Sequence, residues 1–141
     1  MELSKLEQAI EQSHQAVGAF VIGDPTPLGR LYSRRDDATL ANPFGPPVRG
    51  WNDIAETMDR AAALYREGEA IGIERVSEYA TSDLAYVVEI ERLRSKLGGA
   101  EELTEFALRV TTVLRLEEGE WKIVHRHADP ITAPRSAESL L

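Results

Sequence analysis

The chain has 141 residues, a formal net charge of −8 and no cysteine. Its length fits one domain, large enough to bury roughly 68% of the surface of the unfolded chain without disulfides. The lack of thiols excludes disulfide and thiolate chemistry, and the acidic balance argues against a nucleic acid partner, because phosphate-binding surfaces need an excess of Lys and Arg.

The apolar runs of the sequence are far shorter than the ~20 residues that a membrane-spanning helix needs. The N-terminal stretch is acidic and amphipathic, which does not fit the basic and then apolar pattern of a signal peptide. We therefore expect a cytoplasmic protein without a membrane partner.

Two helices are predicted first. Apolar residues recur at helical spacing over residues 3–22, and the Gly-Asp-Pro sequence at 23–25 ends this helix. His14 flanks its apolar stripe, so it either points into a cavity or lies at the helix edge, half in water. A short second helix is predicted over 27–34, with Tyr32 on its apolar side.

A short strand is predicted next, over residues 36–44, where the chain reads DDATLANPF. Asn42 and Pro43 lie at its end and lead into a stiff loop rich in Gly and Pro. Asp36 and Asp37 are adjacent, so only one of them can face inward on a regular strand. Either one acid lies near a pocket, or both are solvated.

The third helix is the clearest one. Apolar residues including Trp51 and Met58 recur at i, i+3, i+4 and i+7 over 51–67. Gly68 stands where a helix C-cap glycine belongs.

From Ala70 onward the period changes to two, which indicates strands. The first strand ends at a turn at 82–83. The second carries two alternating sets, and we predict that the Tyr86 set faces inward, which turns Glu89 and Glu91 outward. Two glycines at 98–99 break the next connection.

The last two strands form a predicted hairpin over 102–130, turned by Glu118-Gly119, a pair that suits the positive φ angles of a tight turn. A two-residue loop would set Leu116 opposite Trp121, Leu114 opposite Ile123, and Thr112 opposite His125. The buried face of the last strand would then continue to His125 and His127, whereas a bulge or a one-residue slip would turn both histidines outward.

The end of this hairpin is the main candidate for chemistry. His125 and His127 share a strand face, a spacing used by metal ligands, and Asp129 could be a third ligand. No second cluster supports a metal, so we predict neither a metal site nor a cofactor. Two other interpretations stay open: the histidines pack and form hydrogen bonds at a pocket mouth, or they carry protons, oriented by Asp129 or His14.

Helices followed by a run of long strands predict an α+β fold, with helices packed on one face of a curved, mostly antiparallel sheet. We expect a single domain over residues 1–131 and a polar, flexible tail over 132–141. A cleft between the two layers is the usual place for a small molecule.

The whole pattern resembles the nuclear-transport-factor-2-like superfamily, in particular its SnoaL-like and ketosteroid isomerase-related branch. The resemblance rests on the leading amphipathic helix, the Gly23-Asp24 stop, the strand ending in Asn42-Pro43, Gly50-Trp51 at the start of the third helix, and the closing segment from Glu118 to Asp129. It implies a cone-shaped α+β fold, an apolar pocket with few polar groups, and homodimers formed through the outer sheet face.

The isomerases of this superfamily use a general-base Asp and two oxyanion donors, a Tyr and a protonated acid. Asp36 or Asp37 lies in the region of the base, and Tyr32 could be a donor if its helix faces inward. Because Glu89 and Glu91 are predicted to face outward, a second acid is missing. The isomerase set is therefore not carried over.

The sequence thus predicts a binding protein for a small apolar molecule, and an enzyme that moves protons on a small apolar carbonyl compound is the alternative. The catalytic candidates are His125, His127, Asp129 and Asp36. The candidate ligand contacts are His14, Tyr32, Asn42, Trp51, Met58, Tyr86, Thr112 and Trp121.

Overall fold

The structure is a computed structural model that describes residues 4–141. Its helices are α1 (Lys5–Phe20), α2 (Thr26–Leu31) and α3 (Trp51–Ala62), and its strands are β1 (Thr39–Ala41), β2 (Val48–Arg49), β3 (Tyr65–Ala80), β4 (Leu84–Leu97), β5 (Thr104–Glu117) and β6 (Glu120–Asp129). A short 3-10 helix, Ala137–Leu140, follows near the C-terminus. Leu3, which the sequence places in the first helix, lies outside the described residues.

The six strands form one sheet in the order β2-β1-β6-β5-β4-β3. All neighbours pair antiparallel except β1 and β6, which run parallel, with Thr39 opposite His125. The helices cover one face of this sheet, called the inner face below, and the opposite face is the outer face. The predicted α+β fold, with helices packed on a mostly antiparallel sheet, is confirmed.

Two apolar clusters fill the space between the helices and the inner face. One contains Ile10, Leu28, Ile54, Leu114 and Ile123, and the other contains Val17, Val21, Tyr65, Leu93 and Leu108. Each fully buried aliphatic side chain of this kind stabilises the fold by about 1.5–3 kcal/mol. No helix of residues 4–141 is both long enough and apolar enough to cross a membrane.

The third helix ends earlier than predicted. It stops at Ala62, and β3 already begins at Tyr65, so Gly68 does not cap a helix. Gly68 instead lies at an irregularity of β3, where its amide donates to the carbonyl of Val21 at 3.1 Å. A Cβ at this position would lie 2.4 Å from that carbonyl oxygen, so the close approach of the α1 end to β3 requires glycine.

The β5–β6 hairpin begins as predicted. Leu116 pairs with Trp121 and Leu114 with Ile123, and Glu118 and Gly119 both have positive φ in the turn. Beyond Ile123 the ladder contains a bulge, because Val113 pairs with His125 and leaves Val124 as an extra residue.

The bulge reverses the predicted faces of the remaining strand. Arg126 pairs with the buried Thr112, and Ala128 pairs with the buried Val110, so both lie on the inner face. His125 and His127 therefore lie on the outer face, and their predicted inward orientation is wrong. Bulges cannot be seen in an alternating apolar pattern, because one extra residue shifts every later side chain to the other face.

The last ten residues are exposed, including the 3-10 helix at Ala137–Leu140. The side chains of Leu140 and Leu141 are exposed as well. The flexibility of this tail and the domain limit at residue 131 stay predictions.

Candidate functional site

A small cavity of about 50 Å³ lies between α1, α3 and the inner face of β4, β5 and β6. Its walls are apolar and come from both layers of the fold. Its lining residues are Val17, Phe20, Val21, Leu28, Leu40, Asn42, Pro43, Phe44, Met58, Ala61, Tyr65, Glu91, Leu93, Leu108, Arg126 and Ala128.

Two charged side chains line this cavity, and they pair with each other. Arg126 on β6 donates from both terminal nitrogens to the two carboxylate oxygens of Glu91 on β4, at 2.9 and 2.8 Å. The Glu91 side chain is 1% exposed and that of Arg126 is 11% exposed. Burial opposes the charge of Arg126, but the charge and hydrogen bonds of Glu91 outweigh it and raise the pKa of the guanidinium. The two side chains form a bidentate ion pair whose opposite charges cancel.

Tyr65 supplies a further polar atom to the wall of the cavity. Its ring stacks on Phe106 and meets Phe20 and Phe44 edge-on, with centroids 5.8 to 6.1 Å apart. Burial raises the pKa of Tyr65 to about 12, so the hydroxyl keeps its proton at neutral pH. Within residues 4–141 this hydroxyl forms no hydrogen bond, which leaves it able to donate to a bound molecule.

A second polar cluster lies on the inner face beside the cavity. His14 Nε2 of α1 lies 3.0 and 2.9 Å from the two carboxylate oxygens of Glu89. Arg75 of β3 donates to the same carboxylate at 3.2 Å. Burial alone would raise the pKa of Glu89, but His14 and Arg75 together lower it below its ordinary value. His14 thus lies on the inner side of α1 with its side chain 28% exposed, but it does not line the cavity, and the Glu89 carboxylate already contacts its Nε2.

The predicted catalytic residues do not come together at the cavity. His127 lies 3.0 Å from Asp129, and Arg109 pairs with the same Asp129 at 2.7 Å, all on the outer face. His125 Nδ1 lies 2.8 Å from the Thr39 hydroxyl. Burial and the nearby charge of His127 lower the pKa of His125, which favours its neutral form.

The acids at the start of the first strand also point away from the cavity. Asp36 is exposed in the loop before β1 and borders a surface depression with Arg34 and Arg49. Asp37 binds Arg115 through both carboxylate oxygens, and these hydrogen bonds lower the pKa of Asp37. Both are acids of the surface. No group of three or more His, Asp or Glu side chains in residues 4–141 is placed to hold a metal ion.

Apart from His14, which is described above, the predicted ligand contacts divide into three groups. Asn42 and Met58 line the cavity. Tyr32, Thr112 and the partly buried Trp51 and Trp121 pack in the interior without lining it. Tyr86 is 39% exposed on the outer face, where its ring lies 6.3 Å from Tyr79, so its predicted inward orientation is wrong.

Tyr32 does face inward, as the isomerase comparison required. However, its hydroxyl donates to the carbonyl of Thr39 at 2.7 Å, so this hydrogen bond fixes the start of β1. Burial also raises the pKa of Tyr32 well above its usual range. The side chain therefore serves the packing of α2 against β1.

The two charged residues that line the cavity, Glu91 and Arg126, were not among the predicted contacts. The alternation over residues 84–91 alone predicts that Glu91 faces outward, because the apolar Leu84, Tyr86, Val88 and Ile90 share the other face. The continuation carries the missing signal: Arg92, Arg94 and Lys96 share the Tyr86 side of β4, whereas Leu93 shares the Glu91 side. Three cations on one face indicate the solvent side, so Glu91 belongs inside. Arg126 depends on the bulge and has no comparable signal.

These features define an α+β protein with a small cavity between its helices and the inner face of its sheet. A family model described as a SnoaL-like domain matches residues 6–133. The chain therefore belongs to the SnoaL-like domain family. No curated protein matches the sequence significantly.

Solved structures support the same fold. A nuclear transport factor 2-like superfamily protein from Salmonella enterica is 17% identical, with 95% of each chain covered and a TM-score of 0.75. A ketosteroid isomerase-like protein from Erwinia carotovora is 19% identical, covering 90% of this chain and 94% of its own, with a TM-score of 0.72. A protein from Novosphingobium aromaticivorans that is described with a cystatin-like fold is 17% identical, with 96% of this chain and 90% of its own chain covered and a TM-score of 0.66. At these identities the likeness concerns the fold alone.

Proposed function

We propose that this protein binds a small, largely apolar molecule between its helices and the inner face of its sheet. The observation that carries the proposal is the cavity, whose walls are apolar and whose charges cancel within the Glu91–Arg126 pair. A few polar groups in an apolar hollow are typical of ligand sites, where the polar groups orient the ligand. The free hydroxyl of Tyr65 is such a group.

A binding role fits the chemistry of the cavity better than a catalytic one. Catalysis by proton transfer needs an acid or base that can reach the bound molecule and change its protonation state. Glu91 and Arg126 hold each other in a bidentate ion pair, and His125, His127, Asp129 and Asp36 lie elsewhere. The cavity thus offers recognition without an available proton carrier.

The test is a titration of ¹⁵N-labelled protein with N-phenyl-1-naphthylamine, an uncharged apolar probe. We expect the amide signals of cavity residues such as Leu108 and Ala128 to shift in a saturable way. The amide signals of residues whose side chains lie on the outer face, such as Val88 and Thr111, should not shift. A response limited to the outer face, or none at all, would refute the proposal.

An enzyme that transfers protons is the second candidate, and the His14–Glu89 contact is the observation that favours it. A carboxylate that holds one imidazole nitrogen leaves the other available as a base. If His14 acts on the bound molecule, its titration midpoint, followed by the NMR signal of the ring, should move when the probe fills the cavity. An unchanged midpoint would leave His14 with a structural role.

We also propose that two copies associate through the outer face of the sheet. This face carries exposed or half-exposed apolar side chains on adjacent strands, namely Tyr79, Leu84, Tyr86, Val88, Ile90 and Val113. Light scattering should give twice the monomer mass of 15.6 kDa at tens of micromolar. Tyr86→Arg should give the monomer and leave probe binding unchanged, and a monomeric native protein would refute the interface.

A cytoplasmic location stays a prediction, which cell fractionation would test.

A further inference from the structure

Phe44 lies at the border between the cavity and a second, outer space. The outer space measures about 230 Å³ and lies between the loop after β1, the face of α3 that carries Thr57 and Arg60, and Leu64 just beyond the end of this helix. Asn42, Phe44 and Ala61 line both spaces. The two hollows are therefore neighbours with a side-chain partition between them.

Neither space alone matches the size of an ordinary ligand site. Small-molecule sites span roughly 300–1,000 Å³, whereas the cavity has about 50 Å³ and the outer space about 230 Å³. A site that joined them would approach the lower end of that range. Since an aromatic side chain stands between them, its position decides whether the site is divided or continuous.

The surroundings of Phe44 leave its ring free to turn away. The side chain is 47% exposed, and its ring contact is an edge-on meeting with Tyr65 at 6.1 Å. Gly45 follows it, and a Cβ added there would meet no atom within 4 Å outside the neighbouring residues. The loop is held at its ends instead, by the pairing of Leu40 with Val48 and by the hydrogen bond from the Phe44 amide to Asn42 Oδ1 at 3.0 Å. The ring can therefore move while β1 and β2 stay in place.

We propose that the cavity and the outer space are two halves of one binding site, which an elongated uncharged molecule occupies end to end after the Phe44 ring has turned away. This inference rests on the proposed binding function and adds to it the extent of the site, the residue that gates it and the charge of the ligand.

The electrostatics of the inner half select against an anion. The charge of Arg126 is already balanced by Glu91, so a ligand carboxylate or sulfonate in the inner half would add a buried negative charge without a cation of its own. An unpaired buried charge is strongly unfavourable. The cation of the outer half, Arg60, is 65% exposed and paired with Glu56 on the same helix. An uncharged molecule meets neither obstacle.

Two probes with one skeleton test the charge preference. N-phenyl-1-naphthylamine is uncharged, and 8-anilino-1-naphthalenesulfonate carries a sulfonate in the middle of the same skeleton, where filling both halves must bury it. We expect the uncharged probe to bind at least about tenfold more tightly, because burial of an ion is penalised. Equal affinities would overturn the inferred charge preference.

Removal of the partition tests the gate. Stopped-flow fluorescence should show that Phe44→Ala binds the uncharged probe about tenfold faster, because the native protein must first open and an opening step reduces the apparent rate and affinity. Phe106→Ala is the matched control, since this ring also packs on Tyr65 but lines neither space. It should lower the thermal midpoint without speeding association. Ala61→Leu, which narrows the passage, should weaken binding.

The outcomes separate this inference from the binding function itself. If NMR signals of Leu108 and Ala128 respond to the probe while those of Val48 and Leu64 do not, and if Phe44→Ala associates at the native rate, the binding function stands and the joined site is refuted. If no cavity residue responds, both are refuted. Responses on both sides of Phe44, together with the faster rate of Phe44→Ala alone, support the joined site.

Discussion

The two faces of β6 carry ion pairs of opposite character. On the inner face Arg126 pairs with a Glu91 side chain that is 1% exposed, whereas on the outer face the half-exposed Arg109 pairs with Asp129. Similar groups at similar distances therefore have different consequences. A solvated pair contributes little, about 0–1 kcal/mol, but a buried pair makes each partner necessary to the other.

A single residue assigns the side chains to these faces. Val124 is the extra residue of the bulge, and without an irregular ladder Arg126 would face water and the two histidines would face the core. The difference between the two faces therefore depends on the register of β6 as well as on its residue types. Variants that change the register, or that remove one member of an ion pair, should show how much each contributes to stability.

The largest effect is expected from an extra alanine inserted between Val124 and His125. The insertion would turn Arg126 outward and leave Glu91 buried without its partner, which by itself costs about 3–5 kcal/mol. Deletion of Val124 is the matched control, because it regularises the ladder and keeps Arg126 inside. Urea unfolding should show a large decrease in the free energy of unfolding for the insertion and a smaller decrease for the deletion. Equal decreases would contradict the assigned role of the bulge.

Arg126→Met should lower the free energy of unfolding by about 3–5 kcal/mol, because it strands the Glu91 carboxylate in the interior. Adding Glu91→Leu should recover much of this loss, since both charges are then replaced by apolar groups. Arg109→Met on the outer face should change the free energy by less than about 1 kcal/mol. A double variant no more stable than Arg126→Met would show that the loss comes from packing rather than from the unpaired charge.

The smallest effect concerns the pH dependence of Glu89. Its pKa is lowered in the folded protein, so its interactions stabilise the fold above the ordinary glutamate pKa of about 4.3, and this stabilisation is lost as the pH falls through the folded pKa. Glu89→Gln should be less stable than the native protein at pH 7, and the difference should narrow below about pH 4. The exposed Glu74 supplies the control, Glu74→Gln, whose urea midpoint should track the native one. If the difference in stability between Glu89→Gln and the native protein did not change with pH, the stabilising contact of the Glu89 carboxylate with His14 and Arg75 would be refuted.

The sequence was sufficient for the architecture because periodicity reports which side of a helix or strand is apolar. It placed α1, α3, the β5–β6 hairpin and its Glu118-Gly119 turn, and it indicated the family. The helical pattern predicts too late an end for α3, because Tyr65 continues the apolar spacing of the helix although it begins β3. Propensity and spacing do not distinguish these two uses of one buried aromatic residue.

The site was less predictable, for a different physical reason. Glu91 and Arg126 are charged residues inside the protein. Each of them, considered by itself, is expected at the surface, because prediction of the core relies on apolar residues. Only their pairing makes burial acceptable, and the pairing joins two strands 35 residues apart through a bulge. Asn42 and Met58 were found because the short loop and the amphipathic helix that carry them are local features.

The parallel contact between β1 and β6 bears on the order of events during synthesis. Thr39 pairs with His125, and 86 positions separate the hydroxyl and the imidazole that meet there. Contacts between distant positions slow folding, since the intervening chain must be closed into a loop first. On the ribosome α1, α2 and β1 therefore emerge long before β6, the strand with which β1 pairs. Their apolar faces stay exposed until β6 has been synthesised. Aggregation of truncated chains that end before β6 would be the visible sign of this dependence.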